Sequence, residues 1–422
     1  MRYIFLLLAL TATLVLSSCS DKAALKNAEI TKLSISSDGH YVISGYDNHY
    51  LILWNITNRS YHVISRHANN NSPYFIKHTH TFIWQNTKNE VYVQNIKGQV
   101  LQQFPLSYPV LSQVMASDLK TYISEDKNWK LYKGHGPSKQ IMKMYGDGGS
   151  KPMNLTLSKN SHYLLTSGSG SPKIDKDSIT KSEKNENTDH WDRLGGVVLW
   201  NVQSGKPIQK YWGNVSQTYA TLSPNNQYVI AGDLQPHTYV FNALTGKRLF
   251  MLYYLTGGYT TCPGHTGDPA KDCKWVDVKV IPMPKGFVDT TGQAYTNVFA
   301  IKYITEHQYL RFFVGVPYAV LYQNSDRKPL KYLPLGKVPF SSDNDLSRDE
   351  SIDTSPSAHI LVTGQEVDDG INVYQYDPKT QTLYRVWTPI INKRSNMPPI
   401  SKDVPTLPGV KFSDLTKVKQ VG

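Results

Sequence analysis

A short apolar phrase returns along this chain: Tyr41-Val-Ile-Ser-Gly45, Tyr163-Leu-Leu-Thr-Ser-Gly168, Tyr228-Val-Ile-Ala-Gly232 and Ile360-Leu-Val-Thr-Gly364. Each is a run of five or six residues rich in β-branched and aromatic side chains, which predicts a buried strand. Turn chemistry sits ahead of each, in Ser37-Asp38-Gly39, Ser158-Lys159-Asn160, Ser223-Pro224-Asn225-Asn226 and Ser355-Pro356-Ser357, with another short apolar run before it. Behind several copies comes a third strand closed by an aromatic residue and Asn: Leu51 to Trp54-Asn55, Val197 to Trp200-Asn201, and Tyr239 to Phe241-Asn242. Ser204-Gly205-Lys206-Pro207 and Thr245-Gly246-Lys247 then turn the chain into a fourth strand. The pattern therefore predicts an all-β chain built from a repeated four-stranded unit.

This unit resembles the WD40 repeat, in which four antiparallel strands form one blade of a β-propeller and the third strand ends in Trp-Asp. Asn stands here in place of that Asp, and most copies lack the Gly-His dipeptide expected ahead of the unit. The resemblance covers residues 29–388. Taking Trp54, Gln94, Tyr132, Trp200, Phe241, Tyr322 and Tyr376 as the Trp-equivalent positions, three of the six intervals are 38 to 41 residues. The other three equal one unit plus an insertion, which gives seven blades. The insertions include 169–194 and 256–295. The first is polar and too poor in apolar residues to bury a core. The second contains Trp275 to Ile281, a strand-like run that makes an eighth, degenerate blade the alternative. The resemblance implies structural roles for Asp47 and Asp233, which follow the recurrent strand, and inter-blade core positions for Trp54, Trp200, Phe241 and Tyr376. The 389–422 tail holds five Pro and a net charge of +4. Either it is disordered, or its Val404, Leu407, Val410, Phe412 and Leu415 pair at a blade edge and close the ring.

The N-terminus carries a separate signal. Arg2 precedes thirteen nearly all-apolar residues, Ile4 to Leu16, a stretch too short to span a bilayer. It runs into Leu16-Ser17-Ser18-Cys19, which resembles the lipobox of bacterial lipoproteins. The resemblance implies that residues 1–18 form a signal peptide, that Cys19 is lipidated, and that residues 19–28 are a tether. It further implies a cell-membrane anchor, with Ser20 rather than Asp after the cysteine favouring the outer membrane and its periplasmic side. Several acyl chains anchor a protein stably where one does not. Cys262 and Cys273 are the other thiols, bounding a Pro/Gly-rich loop. In an oxidising compartment a disulfide is the natural reading. A metal site using both thiolates with His265 matches no zinc spacing and has no evident fourth ligand.

Composition narrows the function classes. Hydrophobic residues make up 40% and charged residues 18%, with 28 Tyr, 12 Phe and 8 Trp, so the chain can fill a large core. The net charge of +12 comes without a dense basic run, which argues against nucleic acid as a partner. His78-Thr-His80 is the one close His pair, and no acid or thiol nearby completes a metal set. His40, His162 and His359 recur beside the turn before the recurrent strand and read as parts of the repeat. Ser167-Gly168-Ser169-Gly170-Ser171 matches a nucleophile motif only through low complexity, and Gly146 to Gly149 lacks the Lys-Ser/Thr of a phosphate loop. No catalytic residue, metal or cofactor is assigned. The expectation is a membrane-anchored interaction scaffold or accessory subunit of a cell-envelope assembly, with an unidentified envelope protein as partner and Trp191 as a candidate contact. The alternative is a periplasmic propeller enzyme, lactonase-like or quinoprotein-like, or a sensor of a small ligand in the central channel.

Overall fold

A computed structural model describes residues 21–421 apart from 22–23, 26–27, 70–71, 128–129, 136–141, 144–150, 170–196, 212–217, 234–237, 253–257, 262–273, 278–297, 314–315, 337–350, 365–369, 392–399 and 401. Seven antiparallel sheets follow one another along the chain. Blade 1 comprises β1 (Ile30–Ile35), β2 (Tyr41–Tyr46), β3 (Leu51–Asn55) and β4 (Ser60–Ser65). Blade 2 comprises β5 (Tyr74–Phe75), β6 (Thr81–Gln85), β7 (Glu90–Asn95) and β8 (Val100–Pro105). Blade 3 comprises β9 (Val110–Met115), β10 (Thr121–Asp126), β11 (Leu131–His135) and β12 (Met142–Lys143). Blade 4 is β13 (Lys151–Leu157), β14 (Tyr163–Ser169), β15 (Val197–Asn201) and β16 (Lys206–Tyr211). Blade 5 is β17 (Thr218–Leu222), β18 (Tyr228–Asp233), β19 (Thr238–Asn242) and β20 (Arg248–Leu252), extended by β21 (Gly258–Thr261) and β22 (Lys274–Asp277). Blade 6 is β23 (Val298–Tyr303), β24 (Gln308–Phe313), β25 (Tyr318–Gln323) and β26 (Lys331–Pro334). Blade 7 is β27 (Ile352–Ser355), β28 (Ile360–Gly364), β29 (Ile371–Asp377) and β30 (Thr382–Trp387). The fold is an all-β, seven-bladed propeller. The strand expected in the 256–295 insertion pairs with β21 on the outside of blade 5 and founds no eighth blade.

The turn between the first two strands of a blade shows why the phrase repeats. In blade 1, Tyr41 N–H donates to Ser36 Oγ (3.0 Å) and His40 N–H to Asp38 Oδ1 (3.1 Å), while Gly39 sits at φ 74°. Blade 4 repeats this through Ser158, Asn160 and Ser161 at φ 58°, and blade 5 through Ser223, Asn225 and Asn226 at φ 60°. A short side chain that caps its own turn, followed by a left-handed residue, fixes the register of the strands on either side. Gly39 has a second constraint, because a Cβ there would lie 2.7 Å from the Ala358 Cβ of blade 7. The recurrent histidines serve through their backbones: the carbonyls of His40, His162 and His359 accept the N–H groups of Ile56, Val202 and Tyr376.

The Trp-equivalent position lies opposite the second residue of the second strand, as Trp54 lies opposite Val42, Trp200 opposite Leu164 and Phe241 opposite Val229. In blade 3 that place belongs to Gly134, opposite Tyr122, and Tyr132 sits two residues earlier. In blade 7 the register places Tyr374 there, opposite Leu361, while Tyr376 lies just ahead of the turn that Asp377 caps. β29 is seven residues long, and its hairpin continues two pairs further than that of blade 1.

The four blade strands of blades 1 and 7 each come from one continuous stretch of chain, so the two blades meet as complete sheets. Ile35 N–H donates to Asp353 Oδ2 (3.0 Å) across the junction. Outside it, the tail forms a strap. Arg385 of β30 bridges Thr406 in parallel, and β31 (Lys419–Gln420) pairs in parallel with β4. Val404 and Leu415 are buried beneath it. The described part of the tail thus pairs at blade edges, through Thr406 and β31, while Phe412 of the expected set is exposed.

Candidate functional site

The inner strands enclose a central channel with a cavity of about 210 Å³, lined by β1, β13, β17, β23 and β27, by the β5 segment and by the turns that follow these strands. Among the described residues, blade 3 contributes none of the lining. Lys77, just after β5, reaches past it and donates to the Leu157 carbonyl of blade 4. The lining also includes Lys32, His78, Lys159 and Lys302, with Glu306 and Asp353 as the acids. Asp353 is engaged structurally, since its carboxylate also takes the Thr354 N–H (2.9 Å).

Burial pushes the Lys77 ammonium down to about 8, against a smaller upward pull from Asp353. His78 is also held low, first by burial and then by the charges of Lys159 and Lys77. The channel end is thus electropositive, and its cations repel one another. Lys77→Met is expected to abolish a rise in stability between pH 8 and about 10. In that window the unfolded lysine, with an ordinary value of 10.5, still binds the proton that the folded one has lost. The unfolded state is then the more protonated, so stability climbs with pH until both states are neutral. Urea midpoints of both proteins at pH 7.5 and 9.5 check this, and an unchanged rise in the variant would refute it.

On the same side of the ring, His80 Nε2 lies 2.6 Å from Asp38 Oδ2 across the border of blades 1 and 2, and His40 Nδ1 lies 3.4 Å from the same oxygen. Burial raises the Asp38 carboxyl, but hydrogen bonds from Ser36, His80 and the His40 backbone outweigh it and hold the group below the usual carboxylate range. His78 and His80 therefore do not act as a pair: His80 serves the blade border, while the His78 N–H donates to Ser37 Oγ. Among the described residues no group of three or more His, Cys, Asp or Glu is arranged to hold a metal.

The remaining residues singled out in the sequence fall as follows. Asp47 is exposed, and its carboxylate and N–H exchange hydrogen bonds with the Glu29 backbone (3.0 Å each), extending the pairing of β1 with β2. Asp233 ends β18 opposite Thr218. Trp54 and Trp200 are buried, with their indole N–H groups on Ser44 Oγ and Thr166 Oγ1. Phe241 is buried against Tyr211, and the Tyr376 hydroxyl donates to Gln308 Oε1. Cys19, Trp191, Cys262 and Cys273 lie outside the described residues.

A second polar constellation, missed in the sequence, joins the two ends of the chain. Asp21 is 2% exposed and takes a two-pronged bond from Arg66, Nε to Oδ1 at 2.7 Å and Nη2 to Oδ2 at 2.8 Å. Tyr50 Oη and Gln420 Nε2 approach the same carboxylate at 3.3 and 3.4 Å. Leu25 and Ala28 are buried in the core of blade 1. The expected tether is thus partly docked, because its acid and its apolar residues have matching sites on the propeller. An acid followed by Leu25 and Ala28 was the available sequence signal.

No family model matches the sequence, and no curated protein matches it. Solved structures match the fold. The β-propeller domain of Myceliophteria thermophila Cps50 (Swd1) aligns with a TM-score of 0.53 at 10% identity, covering 83% of this chain and 98% of that one. A chain of the mitotic checkpoint complex aligns with a TM-score of 0.51 at 11% identity, covering 80% and 84%. At such identities the likeness carries the fold: this chain is a WD40-like β-propeller.

Proposed function

We propose that the protein is a lipid-anchored, non-catalytic interaction module of a bacterial cell envelope, a scaffold or accessory subunit held on the periplasmic side of the outer membrane. The observation that carries this reading is the lipobox-like Leu16-Ser-Ser-Cys19 placed directly ahead of a rigid seven-bladed disk. A propeller presents many loops on two faces of a fixed frame, which suits assembly more than turnover. Propeller structures with the same fold include a chain of a multiprotein complex, which supports a protein partner. Cys19→Ala is expected to move the protein from salt-washed membranes to the soluble fraction, or to leave an uncleaved precursor. A cleaved variant that stays in washed membranes would refute the anchor. Purification from detergent-solubilised membranes tests the scaffold role, and a stoichiometric envelope protein in the eluate is the expected result. Trp191→Ala is the variant with which to weaken that capture.

The second reading, a small ligand in the channel, is favoured by the electropositive cavity end at Lys77, His78 and Lys159. It predicts a bound anion, and no protein, in the purified material.

Cys262 and Cys273 are expected to be oxidised to each other. They bound a Pro/Gly-rich loop, and an oxidising periplasm favours a disulfide between the two. Peptide masses without reduction check this, and free thiols at both positions would refute it.

A further inference from the structure

We propose that the rim of the propeller at the junction of blades 7 and 1 is a membrane-contacting surface for anionic phospholipid. This rests on the lipid-anchor reading for its geometry, though not for its test. Asp21 is fixed to the propeller by Arg66, Tyr50 and Gln420. Cys19 precedes it by two residues, a reach of about 7 Å in extended chain. An acylated Cys19 therefore leaves this rim no room to stand away from the bilayer, and the tether sets an orientation as well as an attachment.

The residues around that point suit a lipid surface. The strap exposes Lys402, Lys411, Lys417 and Lys419, and it crosses blade 1 beside Arg59 and Arg66. Phe412 is 44% exposed on a single 3-10 turn, and Val421 is 46% exposed beside β4. The acids in the same region are Asp21, bound by Arg66, Asp414, paired with Lys417 at 2.6 Å, Asp403, and Glu29 and Asp47, exposed where the tether meets the propeller. Six cations against five acids leave a formal +1, with four of the lysines gathered on the strap among apolar side chains that can enter the headgroup layer. Basic residues attract an anionic surface while neighbouring apolar ones insert, and together they supply the second signal that reinforces lipidation. Charge complementarity and the position of the anchor select a bilayer as the occupant.

The test uses the chain from residue 19 onward carrying Cys19→Ser, so that no acyl chain is present. It is sedimented with vesicles of phosphatidylcholine alone or of phosphatidylcholine with 30% phosphatidylglycerol. Binding is expected to the anionic vesicles, to fall in 0.5 M salt, and to drop by at least about fivefold for each of Lys411→Glu and Lys419→Glu, since each removes a basic residue worth about 1 kcal/mol near the surface and adds a repelled acid. Phe412→Ser is expected to weaken binding at unchanged melting temperature. Equal partitioning to both vesicle types, binding insensitive to Lys411→Glu and Lys419→Glu in a folded chain, or no binding to either vesicle would overturn the proposal. Acylation is read separately, from the mass of the Cys19 peptide of the membrane-bound protein, so the surface and the anchor fail by different measurements.

Discussion

Trp54→Ala is expected to destabilise the propeller by about 3 to 5 kcal/mol, the range for deleting a large buried aromatic side chain. Trp54 is fully buried, and its environment concentrates three costs. Its ring packs edge-on against Trp387 of blade 7, with centroids 6.0 Å apart, and tilted over Tyr61 at 5.5 Å. Removing it opens a cavity at the junction where blades 1 and 7 close the ring. It also leaves Ser44 Oγ, itself buried, without the indole donor at 2.8 Å. Trp54→Phe keeps most of the packing and loses the hydrogen bond, so it separates the two terms and is expected to cost well under half as much. Chemical denaturation of the three proteins checks this. An alanine variant within 1 kcal/mol of the parent would show that blades 1 and 7 do not depend on this contact.

Local chemistry explains which parts of the fold the sequence made legible. The turns at Ser36, Ser158 and Ser223 announce themselves because the capping residue, the Asp or Asn two positions later and the left-handed residue all lie within four positions of one another. Strands then follow at fixed offsets. Trp54 and Trp200 stood out because a large aromatic occupied the key place, whereas in blade 3 Gly134 occupies it, and the nearby aromatic Tyr132 drew attention two residues too early. The run from Trp275 read as a strand, and Lys274–Asp277 is one. Strand pattern carries no information on whether a hairpin founds a sheet or extends an existing one, and among the described residues the two strands there extend blade 5.

What the sequence concealed depends on contacts between distant residues. Lys77 meets Leu157 eighty positions away, and Arg66 meets Asp21 forty-five positions away, across the whole of blade 1. Either lysine or arginine, read alone, is an ordinary surface cation. The strap is the extreme case, since Gln420 and Asp21 are 399 positions apart. Its apolar residues follow no period because it runs along the outer edges of two sheets and joins them through a bridge at Thr406 and the two residues of β31.

Leu415→Asp is expected to release that strap and to cost about 2 to 3 kcal/mol, the burial of one leucine. Leu415 is fully buried, and its carbonyl accepts the Thr388 N–H at 2.8 Å just beyond β30. A carboxylate cannot occupy the site without a partner, so the strap detaches and takes further contacts with it. The Trp387 indole loses the Lys417 carbonyl, Arg59 loses that of Asp414, and the Tyr61 hydroxyl loses Gln420. The ordering entropy regained by the freed segment offsets much of this second set, which keeps the net cost near that of the leucine. β4 is then an open edge, and open edges pair with other chains. The variant should therefore lose amide protection at Lys419 and Val421, whose N–H groups bond Arg59 and Tyr61, and should associate at high concentration. Phe412→Ser, three residues away but exposed, is the control expected to leave both properties unchanged. If Leu415→Asp kept its melting temperature and the protection of those two amides, the strap would be held by its backbone alone, and blades 1 and 7 would close the ring without its side chains.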